Sequence, residues 1–158
     1  MASPALIAAA LAVLGPHGPQ TPLTVAKKMS ADYKRAMINE DLSYFEKSAA
    51  PDFEFIDGQG RKGHLKETLA GVKQGFEMTT KIHRMEEKIV SARRTKEGVL
   101  SVGDVYMEAT VNMGGKPGKM VSKMRVETLA VPKGNTWLYK RIKLSHEDTK
   151  IDGKSMGM

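Results

Sequence analysis

Val99-Leu100-Ser101-Val102-Gly103-Asp104-Val105-Tyr106-Met107-Glu108-Ala109-Thr110-Val111 decides the fold of this chain. Its odd-numbered residues are all apolar or small, while Asp104, Tyr106 and Glu108 alternate with them. Successive side chains of a strand point to opposite faces, so this period of two predicts a strand with one buried and one solvated face. Met120 to Val131 repeats the pattern, with Met120, Ser122, Met124, Val126, Thr128 and Ala130 inward and Lys123, Arg125 and Glu127 outward. Thr79 to Ala92 and Trp137 to Ser145 flank these two. The separators are Lys96-Glu97-Gly98, Gly114-Gly115-Lys116-Pro117-Gly118 and Pro132-Lys133-Gly134-Asn135, all turn chemistry. Four such segments in succession predict an antiparallel meander. The first loses its alternation near Glu86-Glu87, which reads as a bulge bending the sheet.

Upstream, the periodicity changes. Thr24 is a plausible cap, and Ala26, Met29, Tyr33, Ala36 and Met37 follow at three- and four-residue spacing, predicting an amphipathic helix to about Glu40. A short helix from Asp41 to Ala49 is expected to stop before Pro51. Phe53, Phe55 and Asp57 then alternate with Glu54 and Ile56 in a strand that runs into Asp57-Gly58. Leu65, Leu69, Val72 and Phe76 share one face of a third helix, within His64 to Phe76. The predicted class is therefore α+β, with three N-terminal helices packed on a bent, mostly antiparallel sheet and a cavity between the layers. The expected boundaries are a leader or tail over residues 1–22, one domain over 23–146, and a loose tail over 147–158.

Several segments together resemble the nuclear transport factor 2-like superfamily and, within it, the SnoaL-like group. They are Asn39-Glu40-Asp41-Leu42 ending the helix pair, Pro51-Asp52-Phe53-Glu54-Phe55-Ile56-Asp57-Gly58, the Gly63-initiated helix, and Gly134-Asn135-Thr136-Trp137-Leu138-Tyr139-Lys140-Arg141-Ile142. The resemblance implies a cone-like fold whose open end leads to an apolar pocket, and a homodimer formed through the outer sheet face. Its members include isomerases, dehydratases, cyclases, epoxide hydrolases and transport adaptors, so fold does not settle function.

By that resemblance, Tyr33 and Asp57 match in position the hydrogen-bonding tyrosine and general-base aspartate of ketosteroid isomerases. Asp57 extends the Phe53 and Phe55 row, where desolvation would raise its basicity, and Tyr33 could donate to a developing oxyanion. Against this, Tyr33 also reads as core between Met29 and Met37, Asp57 as the organiser of a turn, and the Met120 to Ala130 row lacks the protonated acid such isomerases need. The expected pocket comprises Tyr33, Phe53, Phe55, Asp57, Ser101, Ser122 and Trp137, and its expected occupant is a small, mostly apolar molecule. The rival readings are a cofactor-free isomerase or lyase with Asp57 as base, and a basic accessory module for a protein or polyanion. No cofactor or metal is expected. Gly58-x-Gly60-x-x-Gly63 mimics a dinucleotide fingerprint, but two helices precede its strand and no helix follows Phe76, so a tight hairpin is the better reading. His17, His64, His83 and His146 lack paired metal spacing, and His83 is left as a possible cavity acid or base.

Composition bounds the rest. The 158 residues suffice for one core, and the formal charge of +7 comes from 25 Lys and Arg against 18 Asp and Glu, every one at or after Lys27. Lys81 to Lys96 holds six basic and two acidic residues. Nucleic acid would call for aromatic platforms beside such charge, and aromatic residues are only 6% of the chain, so a solvated or anion-attracting face is expected. Zero Cys excludes thiol catalysis and disulfide staples. Ala5 to Leu14 is an apolar run too short to span a bilayer and of the length of a secretory h-region, without positive residues before it. Export or a periplasmic location is the expectation drawn from it, against a frayed helix or tail in a cytoplasmic protein.

Overall fold

The computed structural model describes residues 20–156. Most of the expected leader lies outside them. Helix α1 spans Pro22–Ile38, α2 Leu42–Ser48 and α3 Leu65–Met78; the strands are β1 Ala49–Ile56, β2 Lys62–Gly63, β3 Thr79–Arg94, β4 Val99–Met113, β5 Lys116–Lys133, β6 Thr136–Ile151 and β7 Lys154–Ser155. One mixed sheet has the order β2-β1-β6-β5-β4-β3, with β7 against β6. β1 runs parallel to β6 and every other pairing is antiparallel. Three helices on a mostly antiparallel sheet form the α+β architecture that the two periodicities predict.

Local chemistry fixes the helix ends. Thr21, not Thr24, caps α1: its Oγ1 accepts from the Thr24 amide at 3.2 Å, and Pro22, with φ already set, opens the helix. Asp41 caps α2 by accepting from the Tyr44 amide, and Glu67 Oε2 accepts from the His64 amide at the start of α3. Thr21 and Pro22, inside the expected leader, thus form the start of α1.

Two boundaries differ from the sequence reading. The expected loose tail is instead the end of β6: Asp148, Thr149, Lys150 and Ile151 pair with Lys123, Ser122, Val121 and Met120, and β7 folds back onto Lys150 and Ile151. A charged segment can remain in a sheet when its outward positions face water. The bulge expected at Glu86-Glu87 is also absent. The irregularities of β3 lie at Thr79/Lys81, Ile82/Arg84 and Ile89/Ser91, and pairing from Arg84 to Ile89 is regular. Met85, Glu87 and Ile89 consequently occupy one face, opposite Met107, Val105 and Gly103 of β4.

That face holds the core. Val25, Met29, Phe53, Val99, Ala130 and Tyr139 form a buried cluster between α1 and the sheet. Burying side chains of this size removes apolar surface from water at about 25 cal/mol per Å², the main favourable term for the fold. Helix α3 differs, since none of its residues is fully buried; Leu65, Leu69, Val72 and Phe76 are half-buried. No helix among the described residues is long and apolar enough to cross a membrane.

Candidate functional site: a two-chambered pocket

Among the described residues, two connected spaces lie between the helices and the inward face of the sheet, and a third, of about 570 Å³, lies by the helix ends and Trp137. An outer cleft of about 760 Å³ is lined by Met37, Ile38, Phe76, Met78, Met107 and Met120 among others. An inner cavity of about 230 Å³ lies against Val25, Met29, Val99, Val105, Met124 and Ala130. Tyr33, Phe55, Thr68 and Val72 line both and so form the step between them. The inward rows of β4 and β5 supply the sheet wall, as the alternation predicts.

The structure distributes the expected pocket residues unevenly. Tyr33, Phe55 and Ser101 line the inner cavity, and Asp57 joins Tyr33 and Phe55 along the outer cleft. Phe53, 5% exposed, lies in the core cluster rather than on a cavity wall. Ser122 is on the inner row but lines neither chamber; β6 continues beside it, and its hydroxyl is 2.8 Å from that of Thr149. Trp137 lines neither chamber. Its Nε1 donates to Gln20 Oε1 at 3.0 Å, at the N-terminal end of α1. His83 is exposed, with its Nε2 2.7 Å from Thr110 Oγ1.

Asp57 is held by the β1–β2 turn. Its Oδ1 accepts from the Gln59 and Arg61 amides at 2.9 Å each, and its Oδ2 accepts from Arg61 Nε at 2.6 Å. Gly60, at φ +79°, gives the turn the left-handed residue it requires. The Arg61 guanidinium and these amides hold the Asp57 carboxyl below the usual range. Desolvation was expected to raise it; the guanidinium and the amides outweigh that effect. The glycine-rich stretch is accordingly a hairpin, and the strand that follows α3, β3, lies at the opposite edge of the sheet from β2 rather than beside it as in a dinucleotide fold.

Glu87 has the opposite surroundings, and the sequence reading missed it. It points from β3 into the inner cavity, where its Oε2 accepts a 2.5 Å hydrogen bond from Ser30 Oγ of α1. A Cβ placed on Gly103 would lie 2.7 Å from its Oε1, so the end of the side chain rests over the bare backbone of Gly103. Burial pushes its carboxyl above the usual range, against the lowering effect of Ser30. Among the described residues no Lys, Arg or His lines this cavity, and none forms an ion pair with Glu87. Glu54, Asp57, Asp104, Glu108 and Glu127 each have a cationic partner. The signal was a lone acid in the row Met85, Glu87, Ile89, which the presumed bulge concealed.

Three tyrosines complete the site. Tyr139 OH donates to the Met29 carbonyl at 3.1 Å, so its 3.1 Å contact with Tyr44 OH must use the Tyr44 proton. Burial raises both hydroxyls. Tyr33 has no hydrogen-bond partner among the described residues, and its ring packs edge-on against Phe45 at 5.6 Å. Burial, then the charges of Glu87 and Tyr44, push its pKa up to about 12. At neutral pH Tyr33 is a neutral donor, available at the step between the chambers.

Solved structures with the same architecture identify the fold. A conserved protein from Planctomyces limnophilus superposes with a TM-score of 0.63 at 12% identity, covering 75% of this chain and 91% of its own. An NTF2-like protein from Cytophaga hutchinsonii gives 0.57 at 11%, covering 80% and 98%. A type 2 hexachlorocyclohexane dehydrochlorinase, LinA, gives 0.58 at 10%, covering 80% and 86%. No protein-family model and no curated protein matches the sequence. At these identities the likeness is one of fold, and the chain has the nuclear transport factor 2-like fold.

Proposed function

We propose that this protein binds a small, mostly apolar molecule in the chambered pocket between its helices and sheet. The observation that carries the reading is the inner cavity: its wall is apolar apart from a few hydroxyls and one carboxyl, the composition of a small-molecule site. A volume of about 230 Å³ is below the roughly 300–1,000 Å³ of drug-sized sites, so the occupant of this chamber is small. Larger molecules would extend past Tyr33 into the outer cleft. A homodimer through the outer sheet face is the assembly proposed with it, and Tyr106, stacked under Arg84 at 5.2 Å, is the aromatic residue available there.

Val126 lines the inner cavity, and Val126→Phe tests the reading by filling it. Native mass spectrometry of the purified protein, followed by titration with an apolar fluorescent dye, is expected to show a bound small molecule or dye that the variant loses. Equal dye binding by both proteins would place the ligand elsewhere.

The cofactor-free isomerase or lyase remains the second reading, and Glu87 favours it more than Asp57 does. A desolvated carboxyl near a neutral tyrosine donor is the environment that proton transfer uses, whereas a carboxylate paired with arginine is a weak base.

A further inference from the structure

We infer that the inner cavity is selective for a small organic ammonium ion, with Glu87 as its counter-ion and aromatic rings around it. This rests on the pocket reading above and specifies the chemistry of its occupant. Four of the nine aromatic residues of the chain, Tyr33, Phe45, Phe55 and Tyr139, line this one chamber. Aromatic rings attract cations, most strongly where water is excluded, and cages of them around a carboxylate bind alkylammonium groups.

Charge complementarity points the same way. A carboxylate without a counter-ion in an apolar space is costly, and among the described residues the cavity wall holds no cation; Lys88, Lys123, Arg125 and His146 share a separate groove with Glu87, but none forms an ion pair with it. An anionic ligand would be repelled by Glu87. A hydrocarbon would leave Glu87 Oε1 and the Tyr33 hydroxyl without partners. A neutral carbonyl compound can accept from Tyr33, yet it would leave Oε1 of Glu87 without a donor, since Ser30 reaches only Oε2. An ammonium ion satisfies Oε1 directly, and Tyr33 can donate to a polar group on the ligand's arm.

The test compares shape-matched pairs by isothermal titration calorimetry: choline against 3,3-dimethyl-1-butanol, and benzyltrimethylammonium against neopentylbenzene. The inference predicts that each cation binds at least tenfold more tightly than its neutral partner, and that Glu87→Gln, nearly identical in shape, removes the preference. The wild-type comparison stands even if the variant does not fold. Neutral partners binding as tightly as the cations would overturn the ammonium assignment while leaving the pocket reading intact. Failure of all four to bind, with the dye bound, has the same consequence. Failure of the dye as well would overturn both.

Discussion

Asp57 and Glu87 are carboxylates beside the same pocket, and the fold treats them in opposite ways. Asp57 ends a strand whose turn supplies two amides and a guanidinium, so its charge is satisfied before any ligand arrives. Glu87 sits mid-strand between Met85 and Ile89, under α1, with one serine hydroxyl for company. The first arrangement stabilises a hairpin; the second keeps an under-satisfied charge where a ligand can meet it. Position in a motif is therefore a poorer guide to chemistry than the groups the topology leaves unpaired.

The largest expected effect comes from the space that Glu87 occupies. Gly103→Ala places a Cβ 2.7 Å from Oε1, so the flexible end of Glu87 must swing aside at the expense of its hydrogen bond with Ser30, and denaturant unfolding should show a loss of about 0.5–1.5 kcal/mol. An unchanged stability would mean that Glu87 does not rest over Gly103.

Acid dependence separates the two carboxylates more finely. Burial raises the folded-state pKa of Glu87 above an unfolded value of about 4.3. Its contribution to stability is fully present below that value and is lost as pH rises through the folded pKa. Glu87→Gln should therefore raise the Tm near neutral pH, with the difference from wild type narrowing in acid. Asp57 is the reverse case. Its folded pKa lies below an unfolded value of about 3.9, so its contribution is present above that value and disappears as pH falls through the folded pKa. Asp57→Asn should lower the Tm at neutral pH and converge on wild type in strong acid. This is the smallest effect of the three, because the Arg61 side chain is exposed and water screens the pair. Shifts of the same sign in both variants would erase the contrast.

Much of the fold was legible because burial on one sheet face imposes a period of two that few other structures share. The rows Val99 to Val111 and Met120 to Ala130 were readable on that ground, and they do form the pocket wall. The site was less so. Glu87 lies next to Glu86, and two adjacent acids look like a break in alternation when one of them in fact points inward. The actual irregularities, at Thr79/Lys81, Ile82/Arg84 and Ile89/Ser91, carry no comparable mark in composition. Ser122 is read as a pocket residue because β6 is expected to end at Ser145; its continuation to Ile151 brings Thr149 beside it as a hydrogen-bond partner for the hydroxyl. Trp137 is governed by a long-range partner, Gln20, which lies 117 residues away in the chain and which no local pattern announces.

Carboxyl-carbon NMR across a pH titration tests the contrast most directly, with Glu87 and Asp57 assigned by the disappearance of their signals in Glu87→Gln and Asp57→Asn. The account predicts a midpoint for Glu87 above the ordinary glutamate value and one for Asp57 below the ordinary aspartate value, with saturating benzyltrimethylammonium drawing only the Glu87 midpoint downward. An ordinary or lowered midpoint for Glu87 in the free protein would contradict it.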